Sequence, residues 1–339
     1  MTSATNDNDP CPCGSGKTYG RCCLGRTSEA SARSDAERAS DPVRKALEGR
    51  QFDSLEDLQA FVADQTRRQN ERPLDEFHGL SPAQMHNLLY LPFASPKVAV
   101  IAQAPESGAA APISRLFGML AEAIGEQGLK PTATGNLPRN LCREIARAYW
   151  DEKTHEERTR FGAINSETDF PELHVARLTA ELAGLTRKYR GRFLLTRDAR
   201  RLLSDHDLAA FYPRLFRAYT QQFNWGYGDR YPELPFIQQA FLFTLYLLAR
   251  YGATRRPHRF YEDAFLAAFP MLLDEMPRND FIAPEQMLRA CYTWRALIHF
   301  ADFLGLASVV PVAGKPLSDD YHVEALPLLR ETVRFPTLA

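Results

Sequence analysis

A mainly α fold with small β-hairpins is predicted by three features of this 339-residue sequence. Apolar residues recur at a spacing of three and four through most of the chain, which is the period of a helix with one buried face. In two short stretches the period becomes strand-like on either side of a tight turn. Near the start, four cysteines stand within the thirteen residues from Cys11 to Cys23. Residues 11–23 therefore read as an N-terminal zinc knuckle, followed by a helical body that contains one or two winged-helix-like units.

The knuckle comes from the run Cys11-Pro12-Cys13-Gly14-Ser15-Gly16-Lys17-Thr18-Tyr19-Gly20-Arg21-Cys22-Cys23. Two thiolates one residue apart and an adjacent second pair wrap one tetrahedral Zn²⁺, and Gly14, Gly16 and Gly20 permit the sharp turns. In a reducing compartment such a cluster binds metal rather than forming disulfides. A rival reading of Gly16-Lys17-Thr18 as a phosphate-binding loop requires a glycine where Cys11 stands and a strand ahead of it. Neither is present in the sequence.

The run C-P-C-G-S-G-K-x-Y-x-x-C-C resembles the SEC-C motif, a small zinc module found at the carboxyl end of the bacterial protein-translocase ATPase and in other bacterial proteins. The resemblance covers less than a tenth of the chain. It implies Zn²⁺ ligation by Cys11, Cys13, Cys22 and Cys23, the last position being His or Cys in that family. It also implies a docking role toward a protein partner. Four thiolates give the site a net double negative charge, which Lys17 and Arg21 are placed to offset. Lys17, Tyr19 and Arg21 then form the partner-binding face.

Residues 26–41 carry almost no large apolar side chain and mix both charges, the composition of a flexible linker. A helical N-terminal segment, 42–112, follows. Ser54 opens a helix with Leu55, Leu58, Phe61 and Val62 on one face; Ser81 caps a second with Pro82 in first position and Met85, Leu88 and Leu89 inward. The stretch from Phe77 to Met85 is similar to a segment of uncharacterised bacterial proteins with SEC-C modules, a likeness that confers no activity.

Residues 113–204 form the winged-helix-like unit. Ile113, Leu116, Phe117, Leu120 and Ile124 give its first helix, and Gly125 and Gly128 lead to a short extended piece at Leu129. The second helix starts near Pro138 with Leu141, Ile145 and Tyr149. A polar stretch, 151–169, leads to the third, with Val175, Leu178, Leu182 and Leu185 inward and Glu172, His174, Arg177, Thr179 and Glu181 outward. Strands on either side of Arg190-Gly191 then make the wing, and Thr196 caps a further helix. The wing cations Arg187, Lys188, Arg190 and Arg192 are the candidate nucleic-acid contacts, because cations suit phosphate. The outward set on the third helix is a poor base reader, with two acids facing a polyanion.

Residues 205–339 form a helical domain ending in a second candidate winged-helix-like unit. Leu208, Phe211, Tyr212, Leu215, Phe216 and Tyr219 make a core stripe, and Phe236 to Leu248 reads as one central buried helix. The loop Trp225-Gly226-Tyr227-Gly228 reads as a packed turn, and Arg255, Arg256, His258 and Arg259 as a second basic cluster. A helix from Ala283 to Phe303, with Met287, Cys291, Trp294, Ile298 and Ala301 inward, ends in Gly-Leu. A hairpin (Ala307 to Val312, a turn at Gly314-Lys315-Pro316, Tyr321 to Ala325) and a closing helix follow. Helix, Gly-Leu, hairpin and short helix repeat the earlier plan, the mark of a diverged repeat.

The chain has 41 Lys and Arg against 42 Asp and Glu, so no global field draws it to nucleic acid or to an anionic membrane. The first residues lack a secretory pattern and no apolar run reaches spanning length, which places the protein in the cytoplasm without membrane insertion. Enzyme signatures fail on inspection. His155-Glu156-Glu157-Arg158 lacks the second histidine of a zinc-protease helix, and no Gly-x-Ser-x-Gly elbow or dinucleotide fingerprint occurs. Asp205-His206-Asp207 reads as a polar helix start, and Cys142 and Cys291 as core thiols. A zinc-dependent adaptor for a protein partner is thus the first expectation, a nucleic-acid binder using the wing the second, and an enzyme in the helical body the third.

Overall fold

Ser54 and Ser81 start helices as their sequence positions require in the computed structural model, which describes residues 44–204, 208–277, 281–312 and 320–338. The zinc knuckle, the linker, Asp205-His206-Asp207 and the Gly314-Lys315-Pro316 turn lie outside the described residues. The chain divides into two units, Met1–Arg72 and Pro73–Ala339.

In the first unit, helix α1 spans Leu55–Glu71. The Ser54 hydroxyl accepts the Asp57 N–H at 3.0 Å, and the acids Glu56 and Asp57 sit in the electropositive first turn. The rings of Phe52 and Phe61 lie 5.4 Å apart, with the Arg50 guanidinium 4.5 Å from the Phe61 centroid.

The second unit opens with α2, Pro82–Tyr90. Ser81 accepts the Gln84 N–H while the Gln84 side chain accepts the Ser81 N–H, a reciprocal capping box with proline in first position. Met85 and Leu88 are buried as expected. Strand β1, Val100–Ile101, pairs antiparallel with the late strand Val333–Arg334, which closes the unit on itself.

The segment expected to form the first winged-helix-like unit holds, in order, α3 (Pro112–Ile124), Leu129, α4 (Arg139–Tyr149), α5 (Glu152–Thr159), α6 (Pro171–Leu182), β2 (Thr186–Tyr189) and β3 (Arg192–Leu195). Leu129 and Phe193 exchange both backbone hydrogen bonds, at 2.9 and 2.8 Å, so the first extended piece lies against the last strand and β3 is central. Glycine is required beside this bridge. Gly128 has φ 75°, and a Cβ there meets the Phe193 carbonyl at 2.7 Å and the Leu194 side chain. Helix α7 (Arg197–Ser204) and α8 (Tyr212–Gln221) lead onward.

A later segment of the same unit repeats this connectivity with α10 (Phe241–Tyr251, after the short α9, Pro235–Gln239), β4 (Arg256–Pro257), α11 (His258–Ala268), α12 (Pro284–Tyr292), β5 (Ala307–Pro311) and β6 (Tyr321–Ala325). Again the first strand pairs with the last, in the order β4-β6-β5. Details of the backbone repeat as well. Gly184 (φ 66°) and Gly305 (φ 71°) end the third helices, and the N–H groups of Leu185 and Leu306 reach back to Ala180 and Ala301 at 2.9 and 2.8 Å. Thr196 N–H bonds the Leu185 carbonyl at 3.0 Å, and Leu326 N–H bonds the Leu306 carbonyl at 2.9 Å. Helix α13, Pro327–Thr332, and strand β7, Val333–Arg334, complete the chain.

Four local expectations are corrected. The polar stretch 151–169 holds α5 and a turn of 3₁₀-helix at Glu167–Asp169, because Asp151 caps the former and Ser166 the latter. The expected single helix Phe236–Leu248 breaks at Ala240: the Gln238 side chain is committed to the carbonyls of Thr220 and Phe223 and to the N–H of Trp225. The helix after Pro284 widens into a π-helix over Thr293–Asp302. That rotation leaves Trp294 37% exposed rather than inward.

Candidate functional site

The first wing is a four-residue register, Thr186↔Leu195 to Tyr189↔Arg192, closed by Arg190 (φ 47°) and Gly191 (φ 70°). Both turn residues are left-handed, the geometry that matches the twist of a two-residue hairpin. Thr186, Phe193 and Leu195 face the core, whereas Arg187, Lys188, Arg190 and Arg192 are exposed. The guanidinium groups of Arg187 and Arg190 lie 5.3 and 5.2 Å from the Tyr189 ring centroid. Arg192 donates to the carbonyls of Gly128 at 2.8 Å and Gln127 at 3.3 Å, which ties the wing to the first strand. Among the described residues, none of the four cations has a carboxylate within 4.0 Å.

The second basic cluster is different, because each member is engaged. Arg255 pairs with Glu324 at 3.3 Å and Arg259 with Asp320 at 3.5 Å. Arg256 donates to the Tyr251 carbonyl at 3.0 Å and lies over Phe260, and buried His258 accepts the Tyr321 N–H at 3.1 Å.

The third helix of the first unit is not available to read bases. His174, Arg177 and Thr179, expected outward, are buried, and Leu182, expected inward, is 41% exposed. The cause is Glu167, a fully buried carboxylate that sequence reasoning missed. It accepts the Leu137 N–H at 2.5 Å, His174 Nδ1–H at 2.7 Å and Arg177 Nε–H at 2.5 Å. Burial pushes the Glu167 carboxyl up, but hydrogen bonds from His174, Arg177 and Leu137 outweigh it and hold the group below its ordinary range. His174 Nε2 continues the chain to the Tyr227 hydroxyl at 3.2 Å. The remaining polar positions of α6, Glu172 and Glu181, are acids paired with Arg158 and Arg177.

In the turn from Trp225 to Asp229, expected to be packed, Trp225 is buried while Tyr227 and Gly228 are exposed. Trp225 Nε1 donates to the Tyr219 carbonyl at 2.9 Å, and Asp229 holds buried Arg295 through two bonds of 2.6 and 3.0 Å. Cys142 and Cys291 are fully buried, and burial raises their thiols to about 11 and about 12, so both stay protonated at neutral pH.

Asp302, at the end of the π-helix, has a measurable signature. Its carboxylate accepts the Val309 N–H at 3.0 Å, yet burial raises it to about 6. Between the ordinary carboxylate range and pH 6 the unfolded chain releases this proton and the folded chain retains it. Asp302 therefore makes stability fall as pH rises across that window. The Asp302→Asn protein should lose about 2–3 kcal/mol less than the parent between pH 4 and pH 7 in urea unfolding. Equal losses in both proteins would refute this.

Geometry and sequence together define a class: a mainly α protein with small antiparallel sheets, one of whose hairpins is strongly basic. Residues 8–25 match the SEC-C motif, a zinc-binding module, and the chain thus carries that motif at its N-terminus. Residues 109–208 match the Y4jL N-terminal domain and bracket helices α3 to α7. No curated protein and no solved structure gave a match to the chain.

The cysteines of the motif and Lys17, Tyr19 and Arg21 lie outside the described residues. Their fit to zinc rests on the donor set, four thiolates, which is the soft tetrahedral complement of a closed structural site. Among the described residues no group of three or more His, Cys, Asp or Glu is placed to hold a metal ion, and no helix is long and apolar enough to cross a membrane.

Proposed function

We propose that this protein is a zinc-binding adaptor of the cytoplasm that docks a protein partner through residues 1–25, joined by linker 26–41 to the body. The observation that carries this reading is the SEC-C match over residues 8–25 with its four cysteines. Cys11, Cys13, Cys22 and Cys23 hold Zn²⁺, which supplies folding energy to a module too small for a core of its own. Lys17, Tyr19 and Arg21 present the contact face.

The experiment is a pull-down with the full chain and with a chain lacking residues 1–25, each with and without nuclease. Protein partners lost on truncation and retained after nuclease support the adaptor. Partners that survive truncation overturn it. A second reading, nucleic-acid binding through Arg187, Lys188, Arg190 and Arg192, is favoured by one specific observation: those cations are exposed and lack acidic partners among the described residues.

A further inference from the structure

The charge of the body is segregated in a way that the whole-chain balance conceals. From Thr186 to Arg201 there are seven Lys or Arg and a single acid, Asp198, in a chain whose formal net charge is -1. Asp198 is turned to Arg214 at 3.5 Å. Arg197 and Arg200, on the helix after the wing, are exposed as well. The corresponding strands of the later repeat, Ala307–Pro311 and Tyr321–Ala325, contain no Lys or Arg at all. Two units of one topology thus differ at the wing, and only the first carries a concentrated positive field.

We infer that the first wing and the following helix bind the phosphodiester backbone of nucleic acid without reading its bases, an inference that rests on the second reading above. Three observations fix this mode. Base readout in the major groove needs an element presenting donors and acceptors to base edges. Helix α6 cannot supply it, since His174, Arg177 and Thr179 are buried and its remaining polar residues are paired acids. In the later repeat of this connectivity, Arg289 of α12 is paired with Asp263 and Glu285, and Arg295 just beyond it is buried on Asp229. Stacking on unpaired bases needs an open aromatic face. Tyr189 already carries two guanidinium groups, and Phe193 is buried. What remains is a set of cations on a rigid hairpin, anchored by Arg192 to the Gln127 and Gly128 carbonyls. Such a set neutralises phosphates and releases counterions regardless of sequence.

The test measures fluorescence anisotropy of the full chain with a duplex of about 20 base pairs, its scrambled counterpart and poly(U), from about 50 to 200 mM salt. The variant is Arg187→Gln/Lys188→Gln/Arg190→Gln, which leaves the Arg192 tether intact, with thermal melting to confirm that it folds. The two duplexes should bind within about twofold of each other, with no preference for poly(U). The variant's log–log salt slope should be shallower by about 3, one for each cation removed. A tenfold preference for one duplex or for poly(U), lost in the variant, would overturn the inference while leaving nucleic-acid binding by the wing intact. Absence of binding to all three probes at about 50 mM salt, or binding unchanged in a folded variant, overturns the wing reading itself. Capture by vesicles of anionic lipid in place of the duplexes assigns the field to a membrane surface and overturns both.

Discussion

Replacement of Glu167 by alanine is expected to lower the stability of the body by about 3–5 kcal/mol, the cost of stranding a buried charge. Arg177 is only 3% exposed, and its Nε–H donates to Glu167. Without the carboxylate, that guanidinium, the His174 Nδ1–H and the Leu137 N–H all lose their acceptor in a site closed to water. Replacing both charged partners should cost much less than the sum of the single replacements: Glu167→Gln with Arg177→Met removes the stranded charge together with its counterion. Urea midpoints of the four proteins decide this. Additive losses would show that the pair is not coupled and that α6 is held by apolar packing alone.

The second large effect concerns the motif at the start of the chain. Full-length protein should carry one Zn²⁺, and serine at Cys11, Cys13, Cys22 or Cys23 should lower the bound metal well below one equivalent. Structural zinc sites of this kind are stabilised by about 10–16 kcal/mol, and a missing thiolate removes a large share of that. Melting of the body should be unchanged, because the core built around Leu116, Phe216, Leu245 and Phe300 is assembled from residues 80–335 of the described chain. Metal content by mass spectrometry and melting by circular dichroism test the two halves separately. Purified protein without zinc, or a quadruple serine variant that retains it, would remove the basis of the adaptor reading. A quadruple variant whose body melts lower would show that the module supports the fold.

Much of the architecture is local and therefore readable. Ser54, Ser81 and Thr196 cap helices because their hydroxyls meet backbone N–H groups within three residues. The wing is fixed by Arg190-Gly191, whose conformations close a two-residue hairpin of one register. The repeated helix, Gly-Leu and hairpin order is visible for the same reason: both Gly-Leu pairs form the same cap. The charge of the wing and the ligand set of the cysteine cluster are likewise matters of spacing along the chain.

Other features depend on partners far away in sequence. The stripe Val175, Leu178, Leu182 suggests one buried face for α6, yet the buried carboxylate of Glu167 draws both His174 and Arg177 to the interior. The break at Ala240 follows from what Gln238 reaches across the core, and no periodicity carries that information. Likewise, pairing of Leu129 with Phe193 turns a loop residue into the first strand of a sheet.

The sequence by itself determined the helices, the hairpins, the metal-binding motif and the location of positive charge, because caps, turns and ligand spacings act over a few residues. Only the tertiary structure decided which cations are free to meet a partner. The wing cations stand clear of acids, whereas Arg177 and Arg295 are buried on Glu167 and Asp229 and Arg255 and Arg259 are paired at the surface. That division follows from desolvation and pairing, and both depend on what the fold brings within a few ångströms of each charge.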